Sequence, residues 1–102
     1  MAKKLRHVVL FGFTSDADAA QVDEIVSRFA ALQNLVPGIE AFEWGVNSSP
    51  EGLNHGHSHC FTFTFSGDAQ RDAYLVHPSH HAFVQFVRPF IEKALVVDYW
   101  TG

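Results

Sequence analysis

Seven histidines in a chain of 102 residues are its main chemical resource: His7, His55, His57, His59, His77, His80 and His81. Imidazole ionises near pH 6.5, so a histidine can take or return a proton under neutral conditions. Removing a hydrogen from carbon beside a carbonyl group needs such a base. It also needs a hydrogen-bond donor for the oxygen that gains charge, a task that suits a tyrosine hydroxyl. Tyr74 precedes His80 by six residues. A metal-binding reading competes. His55, His57 and His59 alternate, which on an extended chain places three imidazoles on one side, and imidazole suits zinc, copper and nickel. His77 with His80 or His81 has helix-compatible spacing. Carboxylates are sparse around His55, His57 and His59, and no metal site is assigned. Cys60 is the only cysteine, so neither an intrachain disulfide nor a thiolate metal cluster can form within one chain. A role in packing is expected for it.

Groups of this kind act only if a folded scaffold aims them. Hydrophobic residues make up 47% of the chain and charged residues 18%, a balance that favours a packed globule over disorder. The length fits one domain, 1–102, and leaves much surface for its volume, so pairing with a second copy would add stability. A net charge of −4 disfavours nucleic acid or an anionic membrane as partner. No run approaches the ~18 apolar residues of a membrane span. The basic opening MAKKLR leads into only a short apolar run, unlike a secretion signal. The expected location is the cytoplasm.

Apolar periodicity supplies the elements. His7 to Phe13 reads as a strand with His7, Val9, Phe11 and Phe13 on one face and Val8, Leu10 and Gly12 on the other. Ser15 or Asp16 is placed to cap a helix carrying Val22, Ile25, Val26, Phe29, Leu32 and Val36, which Pro37-Gly38 ends. Ile39 to Val46 and His57 to Phe65 read as strands, the second with His57, His59, Phe61, Phe63 and Phe65 on one face. Residues 47–56 form a polar loop. A short helix over 69–76 with Asp68 as cap precedes a third helix, with Pro78 in its first turn and Phe83, Val84, Val87, Phe90 and Ile91 as its buried stripe. Pro89 should kink or end that helix, and Leu95 to Trp100 is the last strand. The order β-α-β-β-α-α-β predicts an α+β, ferredoxin-like antiparallel four-stranded sheet with helices on one face. The bare face is apolar enough to require cover. Two copies meeting sheet to sheet would form a dimeric α+β barrel.

HVVLFGF, PGIEAFEWGVN, HGHSHCFTFTF, YLVHPSHHAF and VVDYW, in this order, resemble the stress-responsive A/B-barrel (Dabb) domain over nearly the whole chain. The HPSH element is the most specific piece. The resemblance implies the dimeric barrel. It also implies a set of pocket residues, because a plant polyketide cyclase of the family closes its product by an aldol-type step between sheet and helices. The positions that match that cyclase's pocket are His7, His59, His80, Tyr74 and Asp98. A second pocket tyrosine falls on Phe29, which lacks the hydroxyl, and His81 is an addition.

These residues also make sense by placement. His80 lies in the first turn of the third helix, three residues before Phe83, and can share its buried face. Tyr74 looks toward the same region across the Pro78 break. Asp98 can fix the tautomer of His7, because the first and last strands should be neighbours. The expected activity is acid–base chemistry without a cofactor on a small apolar or carbonyl-containing ligand. His80 would be the base and Tyr74 the carbonyl partner, with His7, His59 and Asp98 in support. Plainer roles fit the same residues: His7 and His59 as core histidines at strand ends, His80 bonded to the preceding loop, Tyr74 as packing. A non-enzymatic stress or assembly protein is one alternative, and a cofactor-free monooxygenase-like or haem-linked barrel is another.

Overall fold

A computed structural model describes residues 2–102. The elements run β1 (Leu5–Phe13), α1 (Ala19–Leu35), β2 (Ile39–Val46), β3 (His59–Phe65), α2 (Asp68–Leu75), α3 (Pro78–Val87), a 3-10 turn over Arg88–Phe90, and β4 (Ile91–Trp100). The strands form one antiparallel sheet in the order β2-β3-β1-β4. Helices pack on one face only, which is the ferredoxin-like arrangement. Side chains alternate across a strand, so the helix side receives Leu5, His7, Val9 and Phe11 from β1 and Phe61, Phe63 and Phe65 from β3, all buried. Ile25, Phe29 and Leu32 of α1 and Phe83 and Val87 of α3 complete the core. Phe29 is its hub, with ring centroids 4.3 Å from Phe83, 4.8 Å from Phe61 and 5.0 Å from Phe63.

Several element ends differ from the sequence reading, each for a local reason. The α1 cap is Asp18, not Ser15 or Asp16, because its carboxylate accepts from the Gln21 amide at 2.8 Å and Ser15 and Asp16 form a turn before it. Gly67, not Asp68, precedes α2, and no side chain caps that helix. The third strand starts at His59, two residues late. Asn54 bonds the His57 carbonyl through Nδ2 at 2.9 Å, and the His57 ring Nδ1 lies 2.8 Å from the Asn54 carbonyl, so this turn holds His57 out of the ladder. Pro89 does end α3: the helix stops at Val87, the turn follows, and β4 begins at Ile91. Phe90 and Ile91 therefore lie beyond the helix, packed against the edge of the core.

The opposite face carries Val8 and Leu10 of β1 beside Leu95, Val97 and Tyr99 of β4, the last three about half exposed. Across β3 and β2 the same face turns polar, with Thr62, Thr64 and Glu43. Where this face ends, the loop of residues 47–58 crosses Gly12. A Cβ at Gly12 would sit 2.2 Å from the Gly56 carbonyl oxygen, so only glycine fits there.

Candidate active site

The helix layer does not cover the whole sheet. Val9 of β1 is 4% exposed, whereas its β4 partner Val96, on the same face, is 54% exposed. Between this uncovered strip and α3 lies a cavity of about 560 Å³, within the range of roughly 300–1,000 Å³ typical of small-molecule sites. Its walls are mostly apolar, with Val9, Phe11, Phe29, Phe83, Val87 and Val96 among them, and its polar groups are His7, Tyr74, His80, Asp98 and Arg88. Five of the six site residues inferred from the sequence thus share one cavity.

His59 is the one left out. The register pairs His7 with Phe63, and His59 with Phe11. His59 therefore sits four residues further along the sheet, roughly 13 Å away at ~3.4 Å per residue. It stacks on Trp44 with an interplanar angle of 3° and meets the Phe13 ring edge-on. The rows of alternating histidines also dissolve, because His55 and His57 lie outside the strand and His55 has φ 50°. Among the described residues no group of three or more His, Cys, Asp or Glu is placed to hold a metal ion.

The HPSH element places the fourth of its residues by means of the first. His77 precedes α3 and its Nδ1 accepts from the Ser79 amide at 3.0 Å, a side-chain cap. Pro78 takes the first helical position, where its missing N–H costs nothing. His80 then falls in the first turn, with Nδ1 3.0 Å from the Leu75 carbonyl oxygen. A carbonyl only accepts, so Nδ1 carries the hydrogen and Nε2 of the neutral ring holds a lone pair. Burial pulls the His80 pKa below its ordinary 6.5, outweighing the Leu75 contact; His7 and His81 push the same way. The ring is a free base at neutral pH.

Tyr74, in the last turn of α2, lies beside it with ring centroids 4.5 Å apart. The tyrosine is fully buried, and its hydroxyl has no hydrogen-bond partner among the described residues. Burial pushes its pKa well above 10.0, so the phenol keeps its proton and can donate. On the other side of Tyr74, at 5.8 Å between centroids, is His7. The β1–β4 register sets His7 opposite Asp98, and Nδ1 lies 2.7 Å from Oδ1. Arg71 of α2 donates to the other carboxylate oxygen, Oδ2, at 2.8 Å. The sequence reading missed Arg71. The available signal was its spacing, three residues before Tyr74 on one helix face.

Burial lowers the pKa of His59 as well as that of His80. The unfolded chain takes up these protons near pH 6.5 and the folded chain only at lower pH. The stability they contribute is thus present above pH 6.5 and is lost as the pH falls through the folded values. The melting temperature is expected to fall between pH 7 and pH 5, and His80→Asn should flatten part of that slope in a calorimetric series.

The family model described as Stress responsive A/B Barrel Domain matches residues 5–101. The chain belongs to this A/B-barrel family. It is similar to the stress-response A/B barrel domain-containing protein HS1 of Arabidopsis thaliana, with 33% identity over 95 residues, 93% of this chain and 87% of that protein. It is also similar to olivetolic acid cyclase of Cannabis sativa, with 27% identity over 95 residues, 93% of this chain and 94% of that enzyme. Among solved structures, the A/B-barrel chain superposes on hydroxynitrile lyase from Passiflora edulis with a TM-score of 0.93 and 26% identity, covering 100% of this chain and 96% of the other. A dimeric ferredoxin-like protein from Jannaschia gives a TM-score of 0.81 at 26% identity, covering 94% and 97%. No helix of the A/B-barrel chain is long and apolar enough to cross a membrane.

Proposed function

We propose that this A/B-barrel protein works as a homodimer that binds a small carbonyl compound in the cavity and moves a proton on the carbon beside the carbonyl. One observation carries the reading: a neutral imidazole, that of His80, and a buried hydroxyl with no partner among the described residues, that of Tyr74, belong to neighbouring side chains that line an open apolar cavity. His80 Nε2 takes the proton. The C–H electron pair forms a carbon–carbon double bond, and the carbonyl π pair moves to oxygen. Tyr74 donates a hydrogen bond to that oxygen as its charge grows. A buried hydroxyl left unpaired in the free protein costs stability. A carbonyl ligand that accepts from it would offset that cost, and binding would be directed to the atom where charge develops. The names of two relatives, a cyclase and a hydroxynitrile lyase, lend support, since both suit chemistry at a carbonyl carbon or its neighbour. A purely structural role would be better served by a cavity filled with phenylalanine rings, and this one is open.

Acetophenone in heavy water tests the reading. Its methyl hydrogens exchange slowly unaided, and the protein is expected to speed deuterium uptake, read by NMR or mass spectrometry. No acceleration, together with no acetophenone-induced shift of cavity resonances, would reject it.

The dimer rests on the half-exposed Leu95, Val97 and Tyr99 beside Val8 and Leu10, with the dimeric relative in support. Val97→Asp would set a carboxylate in that face. It is expected to weaken self-association by roughly a hundredfold or more, because an unpaired buried charge costs several kcal/mol. Sedimentation equilibrium measures this, and a native chain that sediments as a single subunit at high concentration would remove the dimer from the proposal.

A further inference from the structure

His7 has few means of holding its ring in one orientation. Its neighbours on the core side are rings: Phe63, Phe65 and Tyr74, with centroids 5.8–6.4 Å away. Its only hydrogen-bond partner among the described residues is Asp98, through Nδ1. Asp98 belongs to β4, at the edge of the sheet, and its side chain is 22% exposed. A carboxylate there can turn toward water and release the imidazole. Arg71 opposes that turn. Its Nη1 donates to Asp98 Oδ2 at 2.8 Å while its Nε donates to Asp72 Oδ1 at 2.9 Å, so the guanidinium is held at two points.

We propose that Arg71 is a positioning residue that acts through Asp98 to lock His7 as the Nδ1–H tautomer. The donor and acceptor inventory supports this assignment. Arginine can only donate, and an ionised carboxylate can only accept. With Oδ2 taken by Arg71, Oδ1 accepts from His7, which requires the hydrogen on Nδ1. The neutral ring then keeps its lone pair on Nε2, its only other polar atom, and His7 is one of the residues that line the cavity. Among the polar side chains that line the cavity, the Tyr74 hydroxyl is a donor, Nε2 of His80 and Nε2 of His7 are acceptors, and the Arg88 guanidinium is a further donor. Such a set recognises a carbonyl oxygen together with an O–H or an acidic C–H. This inference rests on the proposed function for its use, but its test does not.

Long-range proton–nitrogen NMR of the ligand-free protein at neutral pH reads the tautomer of each histidine directly. Native His7 should be almost entirely Nδ1–H. In Arg71→Met the Nδ1–H form should become the minority, since the free ring prefers hydrogen on Nε2, while His80 keeps the pattern set by Leu75. Arg71→Lys, which restores a cation without the planar fork, should recover part of the native population. The two variants guard against loss of fold in either one. An unchanged His7 pattern in folded Arg71→Met, or a native His7 that is not Nδ1–H, overturns the proposal. The acetophenone exchange assay is run on the same samples. If no sample accelerates exchange or shows an acetophenone-induced shift of cavity resonances, the proposed function fails while the tautomer result still decides the role of Arg71.

Discussion

His80→Ala is expected to lower acetophenone exchange by roughly 10²–10⁴-fold, the usual worth of a positioned general base, and to leave the protein folded and self-associated. Two features keep the structural cost small. The side chain lies at the edge of the core rather than within it, and the α3 cap belongs to His77, not to His80. What is lost is the contact to the Leu75 carbonyl, worth about 1 kcal/mol as a hydrogen bond between uncharged groups, and the packing of the imidazole against the Tyr74 ring. The pH profile gives a second check. Because burial holds the His80 pKa below 6.5, the native rate should be flat around neutrality and fall only as the pH drops through that lowered value. In His80→Ala this acid limb should disappear along with the rate. Native-like exchange in the variant would remove His80 as the base and leave the cavity as a binding site.

The pairing of His7 with Asp98 was readable from topology, because a ferredoxin-like sheet sets its first and last strands side by side and both residues fall on the helix side. The grouping of His80 with Tyr74 was readable from the helix break at Pro78. The position of His59 was not readable from parity. Alternation gives the face of a residue but not its distance along the strand, and antiparallel pairing carried His59 to the Phe11 end, away from His7. The true α1 cap was obscured because Ser15, Asp16 and Asp18 are all competent, and only the backbone path chooses among them. Arg71 stayed hidden for a different reason. A lone arginine on a short polar helix looks like solvent-facing charge until the fold brings Asp98 across from β4, 27 residues later in sequence. The cavity itself was foreseen only through family resemblance. It arises where α3 stops short of β4, and apolar periodicity records which residues are oily but not where the helix layer ends.

Tyr74→Phe should separate chemistry from stability more cleanly than any other change in the cavity. In an ordinary core tyrosine the hydroxyl is bonded, and its removal strands a partner and destabilises the fold. Here the hydroxyl has no partner among the described residues, so phenylalanine strands nothing. The ring remains to pack against His7, Phe63, Phe65 and His80. The variant is therefore expected to keep or raise the melting temperature, by an amount corresponding to at most about 3 kcal/mol, the cost of an unsatisfied buried polar group. Its exchange rate should nevertheless fall by roughly 10²–10³-fold, the cost of removing one donor from a charge-developing oxygen. The acid limb set by His80 should stay in place, because the base is untouched. A native rate with unchanged stability would mean that the hydroxyl meets no developing charge. A large fall in stability would mean that it has a structural partner in the folded protein. The combination of lower rate and equal or greater stability is the signature of a donor held in reserve for the ligand.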